Sequence, residues 1–487
     1  MKITNAVRLV LRGLGWGVVG VLSIALLVLA AWVVSNIGDA QPRPRPAELA
    51  LPTSRVADGA NAAYAFMGLL AEAGRDPVAT GRALREAERA WMALPPAGRA
   101  SEADGHATRE RALAGPPLAL PKGPPLHCET QGSGCDAAWL AEAQALAAQR
   151  AGYGALGERC DKLLAGPFEF EELLPVTRGL DAPLMKWQPM VECSRWLRSG
   201  AMVALAQGRR AEALAWLERA HRLQGTLVQG AQTLVGHMVS SRVARSTLET
   251  MAAAALREPA LAEALAPWLE PPLDTRAAAR RWMVLEADFQ RAAVEGVRDS
   301  AATLAATGEA GFFGRVGGSP LSALGDWLTT RGVGFHPERT LQKIDERWLQ
   351  GLSRLALPWP ALIEAAAADE RALDHAAGDT PFKWRNTFGE LLLDVARPSF
   401  LAYLARHADH ELHREATALV LGLQRQRVAP AARAEAARQW PGLSEPLRQR
   451  MSWSADGRTL TVRSWQADTR GARFDPQRDS ISFAWPP

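Results

Sequence analysis

Three histidines at helical spacing form the most metal-like cluster in the chain. His407, His410 and His413 lie in RHADHELHREA, where Asp409 and Glu411 stand between them. Imidazole and carboxylate groups are zinc ligands, yet His407 and His413 would lie about 9 Å apart along a helix, too far for one shared ion. The apolar residues of this helix occupy the opposite face, so we predict that His410 faces solvent with the other two beside it. A two-ligand metal site completed by another helix is the alternative.

A second group that could do chemistry is the acidic set Glu169, Glu171 and Glu172 in PFEFEELLP. Paired carboxylates can act as general acid and base. Acidic residues after a proline also suit the first turn of a helix, and we predict that structural role here. The chain contains no G-x-S-x-G, Walker A or kinase motif. We therefore predict no catalytic residue and no cofactor; a metal-dependent hydrolase using His410 and His413 is the alternative.

His237 and the tryptophans are better explained by packing. His237 lies in the apolar stretch TLVGHMVSSRV, which predicts a core histidine whose ring is hydrogen-bonded. The chain has 17 tryptophans and 3 tyrosines, and many of the tryptophans fall in predicted helices, where large rings anchor helix packing. Phe312 and Phe313 differ, because they lie in the glycine-rich stretch GFFGRVGG. We predict that Phe312 and Phe313 plug a cap over neighbouring helices; an exposed contact loop for membrane or partner, or a lid, is the alternative.

The four cysteines, Cys128, Cys135, Cys160 and Cys193, lie within one part of the chain. An even, clustered set in an exported protein indicates two disulfides, for which three pairings exist. We predict that Cys128 pairs with Cys135 and that Cys160 pairs with Cys193. A zinc site that also uses His127 is the alternative, but no C-x-x-C spacing is present.

Export is predicted by the segment from Gly13 to Gly38, which has no charged side chain. It is long enough to cross a hydrocarbon core of about 30 Å as a helix. Lys2, Arg8 and Arg12 precede it, and the positive-inside rule then places the N-terminus in the cytoplasm. We predict an uncleaved signal-anchor. A cleaved secretory signal is the alternative, although the apolar run is longer than is typical of one.

The glycines of this segment allow two further interpretations. Gly15, Gly17 and Gly20 match G-x-G-x-x-G formally, but no strand precedes them, so dinucleotide binding is rejected. Gly13 and Gly17 form G-x-x-x-G, which lets two membrane helices approach closely. Gly13 and Gly17 are therefore a candidate transmembrane dimer face, and the protein is a candidate homodimer.

Helical patterns dominate the rest of the sequence. Ala, Leu, Glu and Arg alternate with Pro and Gly breakers, and Asp76-Pro77 predicts a helix start. Residues 458–465 and 481–485 alternate between apolar and polar, which predicts a β-hairpin packed on the helices. We predict a mainly α fold: an N-terminal transmembrane helix, an array of packed helical hairpins and a small C-terminal β-hairpin. The predicted segments are 1–12 (cytoplasmic), 13–38 (transmembrane), 39–57 (proline-rich linker lifting the rest off the membrane), 58–125 (small helical segment and loop), 126–451 (helical periplasmic domain) and 452–487 (β-hairpin appendix).

Residues 194–223 resemble a single tetratricopeptide repeat. The matching positions, in the second half of the repeat, are Gly208, Ala213, Leu217 and Ala220. The first half departs from the family, since Ala201 and Ala204 stand where a glycine and a large aromatic residue are expected. The resemblance implies a helical hairpin with a protein-binding groove. No neighbouring repeat follows, and a generic helical hairpin is the alternative.

The net charge and the predicted export together limit the classes of partner that the protein can have. The net charge of +4 is small for 487 residues and the basic residues are scattered, so we exclude nucleic acid. The expected partners are membrane lipid, through the N-terminal helix, and an unidentified protein. We expect a single-pass protein of the bacterial inner membrane, with most of its chain in the periplasm, that acts as an interaction or assembly component. A lipid- or ligand-binding module is the further alternative.

Overall fold

The computed structural model describes residues 3–94, 96–124, 126, 134–176, 183–270, 273–307, 334–379, 384–395, 400–470 and 480–486. The predicted fold class is confirmed: the protein is mainly α-helical, with one long apolar N-terminal helix and a small antiparallel sheet near the C-terminus. The chain divides into two compact units. Unit 1 contains Met1–Ala50, Ala287–Gly351 and Asp369–Pro398, and unit 2 contains Leu51–Glu286, Leu352–Ala368 and Ser399–Pro487.

The part of the chain up to residue 307 supplies thirteen of the described α-helices. In chain order they are α1 (Ile3–Ser35), α2 (Ala63–Gly68), α3 (Pro77–Met92), α4 (Pro96–Ser101), α5 (Ala103–Ala114), α6 (Gly134–Ala141), α7 (Ala143–Ala151), α8 (Gly154–Leu164), α9 (Gln188–Ala206), α10 (Arg210–Gly230), α11 (Leu234–Arg257), α12 (Ala260–Leu265) and α13 (Thr275–Thr307). Short 3-10 helices cover Ala47–Leu49 and Ala266–Leu269.

The part of the chain after residue 307 adds seven further described α-helices and the strands. The helices are α14 (Pro337–Arg354), α15 (Trp359–Asp379), α16 (Thr387–Val395), α17 (Phe400–Arg425), α18 (Pro430–Arg438), α19 (Glu445–Arg450) and α20 (Trp465–Arg470). The strands are β1 (Met451–Trp453), β2 (Thr459–Arg463) and β3 (Ser480–Ala484).

Helix α3 begins as the sequence predicts. The carboxylate of Asp76 accepts a hydrogen bond from the backbone N–H of Ala79 at 2.7 Å, and Pro77 occupies the first helical turn, where its missing N–H costs nothing. Helices α2 and α3 pack so closely at Gly81 that a Cβ at this position would collide with the backbone carbonyl of Tyr64. The cap and the glycine together set where this first helical pair starts and how closely it packs.

Helices α9 and α10 form the predicted hairpin. Gly208 makes the turn between them with a φ of 72°, a conformation that glycine adopts at little cost. Gly200 on α9 lies under the ring of Trp216 on α10, where any side chain would displace the indole. The predicted disulfide between Cys160 and Cys193 is confirmed and joins α8 to α9, with Cα atoms 5.8 Å apart. The other predicted disulfide, between Cys128 and Cys135, stays a prediction, because Cys128 lies outside the described residues.

The main hydrophobic core of unit 2 lies between α2, α6 to α12 and α17. Trp139 and Trp282 in unit 2, and Trp348 in unit 1, are almost fully buried, which confirms that these rings anchor helix packing. Trp348 Nε1 donates to Gln290 Oε1 at 2.9 Å, so burial does not leave its polar atom unpaired. These tryptophans hold their helices in a single packed arrangement.

The C-terminal appendix has one strand more than predicted. β2 pairs with β3 in antiparallel register, with Leu460 opposite Phe483, and β1 pairs with the other edge of β2. The alternating apolar residues of β2 and β3 are buried, and β3 contacts α11, so the sheet packs on helices as expected. The added strand arises because the turn at Asp456-Gly457 folds the preceding residues back along β2.

The proline-rich segment 39–57 is bound to the fold, and its interpretation as a spacer is wrong. Arg45 forms an ion pair with the buried Asp288 at 2.5 Å, and Leu49 is fully buried, both within unit 1. In unit 2, Ser54 Oγ donates to Glu171 at 2.5 Å. Proline content predicted an extended backbone correctly, but the side chains between the prolines find partners that sequence alone does not reveal.

Candidate functional site

In unit 1 a buried polar network binds the end of α1; we call it the anchor junction (Trp32, Asn36, Asp39, His336, Asn386 and their contacts). The side-chain amide of Asn36 donates to the carbonyl of Trp384 at 2.7 Å and accepts from the backbone N–H of Asn386 at 2.7 Å. The Nε2–H of His336 donates to the Asn36 carbonyl at 2.9 Å. Each of these donors and acceptors would otherwise have to form its hydrogen bond with water.

Asn386 completes the junction through an unusual backbone. Its φ is 58°, a left-handed conformation that asparagine tolerates better than most residues. In this conformation its side chain accepts from the backbone N–H of His336 at 2.7 Å and donates to Thr340 Oγ1 at 3.0 Å. Helix α14 begins directly after His336, at Pro337.

Apolar packing and a helix cap extend the anchor junction. A Cβ on Gly334 would lie 3.1 Å from the Trp32 ring and 3.3 Å from Phe388, so the indole sits closely against both residues. The Asp39 carboxylate accepts from the backbone N–H groups of Glu338 at 2.7 Å and Arg339 at 3.0 Å. It therefore caps the N-terminus of α14, where a negative charge is favoured.

Before the junction, α1 is exposed. Residues 16–31 are all exposed, and Trp16–Ser35 is long and apolar enough to span a membrane. A Cβ on Gly17 would meet no atom within 4 Å, so nothing in the chain itself occupies the candidate dimer face there. The side-chain environment at Gly13, like the contact loop at Phe312 and Phe313, lies outside the described residues.

In unit 2 the predicted histidines lie beside a cleft of about 370 Å³, which we call the histidine cleft. His410 and His413 line it, together with charged residues of α6, α9, α11 and α17. The prediction that His410 faces solvent is wrong: it is 6 % exposed, and His407 and His413 are buried too. Helix α17 packs against α11, α12 and α20, and its partly exposed side carries Glu411, Arg414 and Glu415 rather than His410. The apolar stripe of α17 identifies one buried face of the helix and does not reveal that the face carrying His410 is buried as well.

The three α17 histidines differ in their hydrogen bonds. Trp282 Nε1 donates to His407 Nε2 at 2.9 Å, which places the His407 proton on Nδ1. Among the residues that the structure describes, neither ring nitrogen of His410 has a hydrogen-bonding partner, nor does Nε2 of His413. The His413 ring meets Phe483 edge-on, with centroids 5.9 Å apart. Burial lowers the pKa of His410 to about 4, with Arg414 adding to the effect, so its imidazole is neutral near pH 7.

His237 packs against this group rather than forming a site of its own. It is buried as predicted, and its ring lies 5.4 Å from that of His407. Among the described residues neither ring nitrogen has a partner in good hydrogen-bonding geometry, although the backbone of Ala231 lies near enough to raise its pKa, so the expected hydrogen bond stays a prediction. Burial, followed by the neighbouring His407, holds its pKa well below the usual range. The stretch around it predicted its burial correctly.

Two buried carboxylates belong to the histidine cleft. Burial raises the pKa of Asp136 to about 7, against the opposing effects of Arg198 and of a hydrogen bond from Thr250 at 2.7 Å. Burial also raises the pKa of Asp409 to about 6, although Gln466 donates to it. Asp409 further accepts from the backbone N–H of Trp465 at 2.5 Å and so holds the start of α20. Both carboxylates therefore have structural partners.

Arginines outnumber carboxylates around the cleft. Its charged lining residues are Arg195, Arg198, Arg242, Arg245, Arg406, Asp136, Glu249 and Asp409. Arg245 forms an ion pair with Glu249 at 3.0 Å, whereas Arg242 is exposed and forms no ion pair with any residue that the structure describes. Within that same part of the chain, no group of three or more His, Cys, Asp or Glu side chains could hold a metal ion.

The acidic set at 169–172 is not a helix start, and that prediction is wrong. These residues are extended, and Glu171 and Glu172 are buried. Glu172 accepts from the backbone N–H groups of Gln232 and Thr233, both at 2.7 Å, and so supports the start of α11. Burial raises its pKa despite these bonds. The proline before these residues predicted the start of a helix. Instead, the buried carboxylate of Glu172 accepts hydrogen bonds at the N-terminus of α11, which is distant in sequence.

A second cavity, of about 510 Å³, lies beside Glu171 and Glu172. Its polar groups bind one another: the Tyr64 hydroxyl donates to Asp58, and Arg85 donates to Glu88 at 2.5 Å. Glu171 accepts from the backbone N–H of Arg55 at 2.8 Å. With these partners Glu171 holds segment 52–58 in place, whereas Glu172 supports the start of α11.

The fold and the two sites define a mainly helical protein with one apolar N-terminal helix that is long enough to span a membrane. The chain matches no family model, no curated protein and no solved structure. The resemblance of residues 194–223 to a tetratricopeptide repeat therefore rests on the α9–α10 hairpin alone.

The residues that sequence reasoning missed are mostly brought together over long distances. Asn36 is the one whose signal was visible, as a polar residue at the end of an otherwise apolar run. Nothing local connects it with His336 or Asn386. The cleft residues Asp136 and Arg242 likewise belong to separate helices with no shared motif.

Proposed function

We propose that the protein is a single-pass inner-membrane protein whose helical domain lies in the periplasm and acts as an interaction or assembly component. The observation that carries the proposal is the anchor junction. A helix that is apolar and exposed up to residue 31 becomes bound to a folded unit from Trp32 onward. Residues 13–31 would span about 28 Å as a helix, close to the thickness of a hydrocarbon core.

The residues at the junction suit a membrane surface. Trp384, whose carbonyl accepts from Asn36, is 44 % exposed, and Leu391 on α16 is 52 % exposed. Since Asn36 marks the end of α1, these apolar side chains lie near the level at which the helix would leave the hydrocarbon. Tryptophan is enriched at that level because its ring is amphipathic.

Export to the periplasm is supported by two independent features. Lys2, Arg8 and Arg12 precede the apolar helix, which favours a cytoplasmic N-terminus. The disulfide between Cys160 and Cys193 suits an oxidising compartment, because cytosolic thiols are kept reduced. An uncleaved signal-anchor is consistent with both features. It also retains Asn36, the central residue of the anchor junction, which removal of the segment that contains α1 would take away.

The interaction role is supported by two exposed apolar side chains near the junction, Trp384 just before α16 and Leu391 on α16. A soluble surface gains nothing from a large exposed Leu391, whereas a membrane-proximal contact with a partner would bury it. The fixed junction would keep such a surface at constant depth. A constant position of this surface relative to the membrane is what we expect of a component that assembles with other membrane proteins.

A photo-crosslinking residue at position 391 tests the proposal in native membranes. We expect irradiation to give discrete protein adducts at Leu391 and none at Val78, an exposed apolar residue of α3 in unit 2 that serves as the matched control. Adducts with lipid alone at position 391 would overturn the assembly role in favour of a lipid-binding module. The same protein pattern at both positions would show collision rather than assembly and would also count against it.

A further inference from the structure

The histidine cleft contains buried hydrogen-bonding atoms that no residue in the described part of the chain satisfies. His410 has two such ring nitrogens and His413 has one. A buried polar group without a partner costs about 1–3 kcal/mol, and native proteins contain few of them. His407, one turn earlier on the same helix, has its Trp282 partner, so unpartnered rings are not a general property of α17.

The charge around the cleft favours an anion. Five arginines line it against three carboxylates. All three carboxylates are engaged, since Asp409 binds the start of α20, Glu249 pairs with Arg245 and Asp136 accepts from Thr250. Among the arginines, Arg245 and Arg195 are ion-paired, the latter with Glu192. Arg242 projects from α11 with no ion-pair partner among the residues described. A guanidinium group binds the oxygens of a carboxylate or phosphate with two parallel hydrogen bonds.

The remaining wall of the cleft is partly polar, at four serines and Gln466, and partly apolar. Trp139, Val191, Met238, Val243 and Ile481 line it, and Met238 is 36 % exposed. A volume of about 370 Å³ is within the range of pockets that hold small organic ligands and exceeds what a lone inorganic ion needs. The combination of arginines, a neutral imidazole and an apolar wall suits a ligand with a charged end and an apolar end.

We propose that the histidine cleft binds a small organic anion, whose oxyanion group is held by Arg242 and the imidazole of His410 and whose apolar part lies against Trp139 and Met238. A neutral imidazole donates one hydrogen bond to the oxyanion and leaves its other nitrogen as an acceptor. The inference is independent of the proposed interaction role, because it uses only residues of unit 2. Carboxylates and phosphate monoesters share the chemistry required.

Calorimetry on the full chain in lipid nanodiscs tests the proposal. The probes are phenyl phosphate, hexanoate, inorganic phosphate and benzyl alcohol, which separate charge from apolar contact. We expect phenyl phosphate or hexanoate to bind with 1:1 stoichiometry and at least tenfold more tightly than inorganic phosphate, and benzyl alcohol not to bind. Absence of 1:1 binding by both organic anions, or equal affinity for inorganic phosphate, would overturn it.

Two pairs of variants locate the site. Arg242→Gln should weaken binding at least tenfold, while Arg257→Gln, at the end of the same helix and outside the cleft, should leave it unchanged. His410→Leu should also weaken binding tenfold but raise the Tm of the ligand-free protein, because it removes unpartnered nitrogens. His221→Leu should lower the Tm, since Gln224 lies 2.8 Å from its ring, and leave binding unchanged.

These pairs keep the proposal falsifiable if one variant misfolds. Should His410→Leu fail to fold, the arginine pair decides alone, because Arg242 is exposed and its replacement leaves the core intact. Equal binding by Arg242→Gln and Arg257→Gln would place the anion elsewhere and overturn the proposal. A lower Tm for a folded His410→Leu would show that the ring is satisfied without ligand and would contradict it too.

Discussion

The backbone carbonyl of Asn36 accepts a hydrogen bond of 2.9 Å from Nε2 of His336, a residue 300 positions further along the chain. Asn36 follows the last residue of α1, where helix carbonyls lack partners within the helix. A residue of the folded unit therefore satisfies a group that a free tether would leave to water. This bond makes the apolar helix part of unit 1.

Asn36→Ala should loosen the anchor junction. It removes the amide that donates to Trp384 and accepts from Asn386, both at 2.7 Å, and leaves buried groups unpaired. We expect a local loss of about 2–4 kcal/mol. Hydrogen–deuterium exchange should show at least tenfold faster exchange of the Asn386 amide. Ile37→Ala, at the exposed neighbouring position, is the control, and equal exchange in both variants would contradict the role given to Asn36.

Removal of the disulfide between Cys160 and Cys193 should destabilise unit 2. The two cysteines are 33 residues apart, and closing a loop of that length restricts the unfolded chain by about 3–4 kcal/mol. The double variant with alanine at both positions should unfold at lower denaturant concentration, as should the wild type after reduction. Thiol titration of the unreduced protein provides the check on the premise: four titratable thiols would show that no disulfide forms.

Asp136→Asn should change how stability depends on pH. The pKa of Asp136 is about 7 in the folded protein and near 3.8 when exposed, so between these values the folded state holds the extra proton. Wild-type stability contributed by this group therefore falls as pH rises through that range. Asparagine does not titrate, so the unfolding free energy of the variant minus that of the wild type should increase by about 2–4 kcal/mol from pH 4 to pH 8. A pH-independent difference would show that the carboxyl is not buried as described.

Gly17→Leu should weaken self-association through α1, if Gly13 and Gly17 form the predicted face. A side chain at position 17 meets nothing in the monomer, so the change affects only contacts with another molecule. Fluorescence energy transfer between labelled chains in nanodiscs should fall at least threefold. Val18→Leu adds bulk to a different side of the helix and should leave the transfer unchanged. Equal transfer in both variants would exclude this face as a dimer contact.

Local rules account for the parts of the fold that the sequence predicts well. Asp76 caps α3 and Gly208 forms the α9–α10 turn because each acts on its immediate neighbours. The apolar run of α1 and the Cys160–Cys193 pair are also visible in composition and spacing. Each of these features depends on a short stretch of chain or on compartment chemistry, and so one sequence suffices to predict it.

The candidate sites depend on packing between distant elements, and there prediction from sequence is wrong or silent. His410 is buried because α11, α12 and α20 surround α17, which its own apolar stripe cannot show. Glu172 serves the start of α11, although its neighbours suggest a helix of its own. The anchor junction joins Asn36 to Asn386 across most of the chain. In each case a polar residue is explained by a partner that no local pattern identifies.

The most direct test of the anchored, exported arrangement is cysteine labelling in cells with a permeabilised outer membrane. Gln207→Cys places a thiol at an exposed position after α9, and Thr4→Cys places one in the first turn of α1, before its apolar segment. A membrane-impermeant maleimide should label position 207 in intact spheroplasts and should label position 4 only after the inner membrane is lysed. Labelling of position 4 before lysis, with position 207 protected, would contradict the orientation on which the account depends.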